Sequence, residues 1–149
     1  MSSSSQFPTA PATLAQAAEF NAIVARIDDR TLRTAMADPM TRAVVLGAVF
    51  AGMPQRVRGD KIDGVSAVIR WRIGDEPDCW TVLIDGGACA VRSGMTSRTP
   101  TVTLELGTVP FLRMIAGQTG GMALVLSGKL RIKGSLTIAR HLEDWFARG

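Results

Sequence analysis

The sequence predicts an α+β fold: a mainly antiparallel five-stranded sheet covered by helices, with an N-terminal helical extension. Three observations predict it. Apolar residues recur at helical spacing up to about residue 55. They then alternate with polar ones through four stretches between residues 65 and 106. Helical spacing returns after residue 108, broken by one more alternating stretch at 129–133.

Residues 1–12, rich in Ser, Pro and Ala, are expected to be a disordered leader. Residues 13–149 are expected to form one domain, with N-terminal helices over 13–55 and the sheet with its covering helices over 62–149. Thr13 is placed to cap a first helix whose Phe20, Ile23, Val24 and Ile27 share one face. A short second helix is expected over 29–37. Asp38-Pro39 pairs an acidic cap with a first-turn proline and starts a third. Leu46, Val49, Phe50 and Met53 form its apolar face, and Gly52 and Pro54 are expected to stop it.

The first strand turns Ala67, Ile69, Trp71 and Ile73 to one side. Asp75, Glu76 and Asp78 read as a polar turn, and Trp80, Val82 and Ile84 as a second strand. Asp85-Gly86-Gly87 is a hairpin signal leading to a third strand with Cys89 and Val91. Val102, Leu104 and Leu106 make a fourth. The short connections predict that each of these strands pairs antiparallel with the one before it. Thr108 is expected to cap a helix carrying Phe111, Met114 and Ile115 and ending near Gly117. Met122 to Leu126 is a short apolar segment closed by Ser127-Gly128. Leu130 and Ile132 then point inward, with Lys129, Arg131 and Lys133 outward. Gly134 ends that strand, and Ser135 caps a last helix with Ile138, Leu142, Trp145 and Phe146 along one side.

Composition removes several classes of function. Aromatic residues are 5% and tyrosine is absent, so a stacking platform for single-stranded nucleic acid is not expected. No stretch is long and apolar enough for a transmembrane helix, and no signal peptide is legible. Cys79 and Cys89 sit at different heights on two arms of one hairpin, Cys89 opposite Ile84, so reduced thiols in a cytoplasmic protein are expected. His141 is the only histidine and lies beside Glu143 and Asp144, off the apolar face of its helix. It reads as a surface residue, which leaves no nucleophile–base pair, no metal-ligand set and no cofactor. Gly128-Lys129 is not a phosphate loop, because Ala123 stands where a glycine is needed and Leu130 where a hydroxyl must bind magnesium. From Arg113 onward, six basic residues face only Glu143 and Asp144. That surplus reads first as a solvated face, and alternatively as a seat for an anionic head group, acyl-CoA phosphates or an acidic partner.

Ser127-Gly128-Lys129-Leu130-Arg131-Ile132-Lys133-Gly134-Ser135, followed by Ala139, Leu142 and Phe146, resembles the sterol carrier protein-2 family. The family pattern is a small residue, Gly-Lys-Leu-x-Ile-x-Gly-Asp/Ser, then a helix with an aliphatic stripe. Phe50 to Pro54 looks like the end of the family's N-terminal helix, and Val102-Thr103-Leu104 before Phe111 like the strand preceding its ligand-covering helices. The resemblance spans about residues 44–146. It implies an apolar tunnel or cavity between sheet and helices, no catalysis, and a lipid, sterol, acyl-CoA or quinone-like ligand. The large apolar residues around the motif are the expected ligand contacts: Phe111, Met114, Ile115, Met122, Leu126, Ile138, Leu142, Trp145 and Phe146. Two features depart from the family: a longer N-terminal helical region, and Ala147-Arg148-Gly149 in place of a peroxisomal tripeptide. Two functions follow as expectations. One is a non-catalytic carrier with an apolar cavity. The other is an interaction or dimerisation module, acting as a homodimer or beside a lipid-metabolic enzyme.

Overall fold

A computed structural model describes residues 14–74, 78–94, 96 and 98–145. Thr13, Asp75, Glu76, Phe146 and the 1–12 leader lie outside the described residues. Three helices come first: α1 (Leu14–Arg26), α2 (Asp29–Ala37) and α3 (Pro39–Arg56). A single turn, α4 (Gly59–Ile62), precedes β1 (Ala67–Ile73), β2 (Asp78–Asp85), β3 (Ala88–Ser93) and β4 (Val102–Leu106). Then come α5 (Thr108–Ile115), α6 (Gly121–Leu126), β5 (Leu130–Gly134) and α7 (Leu136–Trp145).

Side-chain capping explains where the first helices begin. Asp28 and Asp38 accept hydrogen bonds from the backbone N–H of Thr31 and Thr41, three residues on. Those bonds hold both carboxyls below the usual carboxylate range. α3 does not stop at Gly52-Pro54: both lie inside the helix, which runs on to Arg56. Proline removes one helical hydrogen bond. Burial of the apolar face of α3, Leu46, Val49, Phe50 and Met53, offsets that loss. Thr108 is likewise not a cap. It is the first residue of α5, and Gly107 takes the cap position without a side-chain bond.

The sheet order is β3-β2-β1-β4-β5. The expected run of antiparallel neighbours fails at one place, since β4 pairs with β1 and in parallel, from Ile69↔Val102 to Ile73↔Leu106. Residues 94–101 carry the chain back across β2 and β1. Eight residues reach roughly 26 Å when extended, against three strand spacings of about 4.8 Å each. The crossing is pinned at both ends. The Gly94 N–H donates to the Cys79 carbonyl (2.7 Å), the Thr81 hydroxyl to the Gly94 carbonyl (2.9 Å) and the Thr101 N–H to the Val68 carbonyl (2.7 Å). The other pairings are antiparallel, and Cys89 lies opposite Ile84.

Ala67, Ile69, Trp71 and Ile73 of β1 are buried, while the alternate residues between them are half-buried. The helices pack on that inner side through an aromatic cluster. Phe50 stacks on Trp80 (4.8 Å between ring centres) and Phe111 (5.5 Å), and Trp71 meets both phenylalanines edge-on.

Candidate functional site

Beside the aromatic cluster the covering helices part, leaving a cavity of about 370 Å³. Its floor is the inner face of the sheet: Trp71 from β1, Leu104 from β4, Leu130 and Ile132 from β5. Three helices each contribute a pair spaced i, i+3, the spacing that puts two side chains on one helical face. The pairs are Met53/Arg56 from α3, Met122/Val125 from α6 and Ala139/Leu142 from α7. Met114 and Ile115 at the end of α5 close one side, and Arg140 stands at the exposed rim.

α5 and α6 are short because each ends in the same capping motif. The Gly117 N–H donates to the Met114 carbonyl and the Gln118 N–H to the Arg113 carbonyl. The Gly128 and Lys129 N–H groups repeat this on Val125 and Leu124. Both glycines have positive φ, 79° and 76°. Two sharp stops leave a notch between two one- or two-turn helices, and the cavity occupies it.

The lining is apolar except at Arg56 and Arg140. Arg56 is 8% exposed, and burial pulls its pKa below the ordinary arginine value without discharging it at neutral pH. A guanidinium's planar charged fork has the chemistry that suits carboxylate or phosphate oxygens. Among the described residues no three metal-ligating side chains come together. His141 is exposed and stacked on Trp145 (6.3 Å, 13°). Both cysteines are free, and burial pushes the Cys89 thiol up to about 11.

Of the nine residues expected to meet a ligand, Met114, Ile115, Met122 and Leu142 come together on the cavity. Phe111 is fully buried in the aromatic cluster instead. Leu126 is 82% exposed and Trp145 is buried, its carbonyl accepting from the Arg58 N–H. Ile138 packs against the core, and Phe146 is outside the described residues. Arg56 was missed. Its spacing from Met53 on an apolar helix face is the signal that points to it. The basic surplus is partly spent inside the fold. Arg113 donates to the Val24 and Ile27 carbonyls, Asp29 and Gln118, and Lys133 pairs with Glu105.

The profile of the SCP-2 sterol transfer family matches residues 48–147, the segment that builds this sheet and cavity. The chain belongs to that family. Solved structures share the fold of this SCP-2 domain. The inverting sec-alkylsulfatase Pisa1 from Pseudomonas sp. superposes with a TM-score of 0.64 at 17% identity, covering 73% of this chain and 17% of the sulfatase. Sterol carrier protein 2 from Yarrowia lipolytica superposes at 0.57 with 19% identity, covering 72% of this chain and 90% of that protein. The SCP-2 domain thus spans a small part of the sulfatase and most of the Yarrowia carrier. No curated protein matches the chain by sequence. Among the described residues, no helix is long and apolar enough to cross a membrane.

Proposed function

We propose that this SCP-2 domain is a non-catalytic, cytoplasmic carrier holding a sterol, fatty acyl or isoprenoid-type lipid in the α5–α6–α7 cavity, with a fatty acid the best fit among these. One observation carries the reading: an apolar cavity of about 370 Å³ whose wall includes the buried Arg56. The volume is at the lower end of the roughly 300–1,000 Å³ usual for small-molecule pockets. Each buried methylene supplies about 0.8 kcal/mol. The Arg56 guanidinium in the wall supports an acidic head group, whose oxygens suit its donors.

The test is titration of delipidated protein with a fluorescent fatty acid and with the alcohol of the same chain. The acid is expected to bind about tenfold tighter, the weight of one charge-assisted hydrogen bond. Arg56→Met is expected to erase that preference while leaving the alcohol's affinity within about twofold. A protein that carries no lipid by native mass spectrometry after gentle purification, and takes up neither probe, sinks the carrier reading.

A second reading, an interaction or dimerisation module beside a lipid-metabolic enzyme, is supported by the occurrence of this fold as a 17% portion of the sulfatase chain. A stable dimer by light scattering, together with a cavity that no probe enters, favours it over the carrier.

A further inference from the structure

A second recess, a cleft of about 850 Å³, lies where α2 and the start of α3 meet α5 and α6. It shares no residue with the apolar cavity. α5 gives Met114 and Ile115 to the cavity and Thr108, Val109 and Arg113 to the cleft. Arg33 and Arg42 enter the cleft from positions ahead of the family segment, which begins at residue 48. The N-terminal helices therefore complete a site that the family segment alone lacks.

Four cations line the cleft, Arg33, Arg42, Arg113 and Lys129, against one carboxylate, Asp29. Two of the four are already matched inside the fold. The Arg42 Nε donates to Asp78 (2.7 Å) and its Nη1 to the Met36 carbonyl (2.9 Å). Arg113 spends its fork on Asp29, Gln118 and the Val24 and Ile27 carbonyls. Arg33 and Lys129 are exposed and make no ion pair among the described residues. Two unmatched positive charges on one cleft suit a ligand with two negative charges. A phosphate monoester carries about −1.5 to −2 at neutral pH, whereas a single carboxylate carries one charge. Neutral donors suit the same head: the Thr108 and Thr119 hydroxyls, and the Gln118 amide, whose Oε1 is held by Arg113. Met36, Val109, Pro110 and Leu124 add an apolar patch, and the cleft is far larger than a bare phosphate ion.

We propose that this cleft binds a soluble phosphate monoester of a small organic molecule, its phosphate met by Arg33 and Lys129 and its organic body by the apolar patch. The site does not depend on the carrier reading, because cleft and cavity have no residue in common.

The experiment is isothermal titration calorimetry of the full chain at low salt with inorganic phosphate, phenyl phosphate and succinate. Phenyl phosphate is expected to bind about tenfold tighter than inorganic phosphate, through burial of its ring. It is expected to bind about tenfold tighter than succinate, which divides its two charges between separate carboxylates. Arg33→Ala and Lys129→Ala are each expected to weaken phenyl phosphate about tenfold, with circular dichroism unchanged because both side chains are exposed. Arg30→Ala, an exposed cation of α2 outside the cleft, is expected to change affinity less than about twofold. Protein loaded with fatty acid is expected to take up phenyl phosphate as well, both ligands appearing together in native mass spectrometry. The proposal is overturned by phenyl phosphate that does not bind, that binds no tighter than inorganic phosphate or succinate, or that displaces the fatty acid. Binding that survives both the Arg33 and Lys129 variants, or that falls equally in Arg30→Ala, overturns it too. If vesicles containing phosphatidic acid engage Arg33 and Lys129 while phenyl phosphate does not, the phosphate belongs to a lipid head and the soluble ester is ruled out.

Discussion

Gly134 ends β5 at φ +102°, a conformation that side chains rarely adopt. A Cβ there would lie 2.5 Å from the Thr101 carbonyl oxygen and 3.1 Å from the Val102 Cα, both backbone atoms at the entry to β4. Neither can swing away. Gly128 also has positive φ (76°), but a Cβ there meets nothing within 4 Å. Gly134→Ala is therefore expected to cost roughly 3 kcal/mol and Gly128→Ala about 1 kcal/mol. Equilibrium denaturation in urea checks the ranking. Equal costs would show that backbone conformation alone, and not the approach of β4, selects Gly134. Both glycines stand out in the sequence as breaks in a pattern. The close approach behind one of them does not, because Thr101 is 33 positions away.

At the scale of elements, Arg113 ties the N-terminal helices to the family fold. It sits in the last turn of α5 and donates to the Val24 and Ile27 carbonyls at the end of α1, and to Asp29 at the start of α2. A cation at a helix C-terminus also suits the helix dipole. Arg113→Ala is expected to destabilise the protein by about 2 kcal/mol through lost charge-assisted bonds. Hydrogen exchange is expected to rise most in α1 and α2. Uniform loosening of the sheet instead would show that α1 and α2 are not held through this side chain. Residue patterning made most elements legible: Asp38-Pro39 opened α3, the alternation of Val102, Leu104 and Leu106 marked β4, and Ser135 accepts from the Ile138 N–H at the start of α7. Patterning failed at the end of α3, where tertiary burial of the helix's apolar face, Phe50 and Met53 included, overrides a proline that local propensity reads as a stop.

At the scale of the molecule, the cavity is a packing deficit that a ligand would fill. Ligand present at a hundred times its Kd stabilises the folded state by about 2.7 kcal/mol, which for a chain of this size raises Tm by roughly 5–10 °C. Delipidated protein is expected to melt lower than protein purified gently, and added fatty acid to restore the difference in scanning calorimetry. A Tm indifferent to delipidation and to added lipid would mean that side chains close the cavity in solution.

The sequence by itself determined which faces of the helices and strands are apolar, where most elements begin and end, and, through Ser127 to Ser135, the family. Those properties are local: each depends on side-chain period, capping chemistry or a glycine within a few residues. Tertiary structure decided the parallel pairing of β4 with β1, the burial of Phe111 against Phe50, and the gathering of Arg56, Trp71 and Met122 around one space. A strand's partner is chosen over the whole sheet, and a cavity is an absence of contact between elements far apart in the chain. Neither leaves a period in the sequence to read.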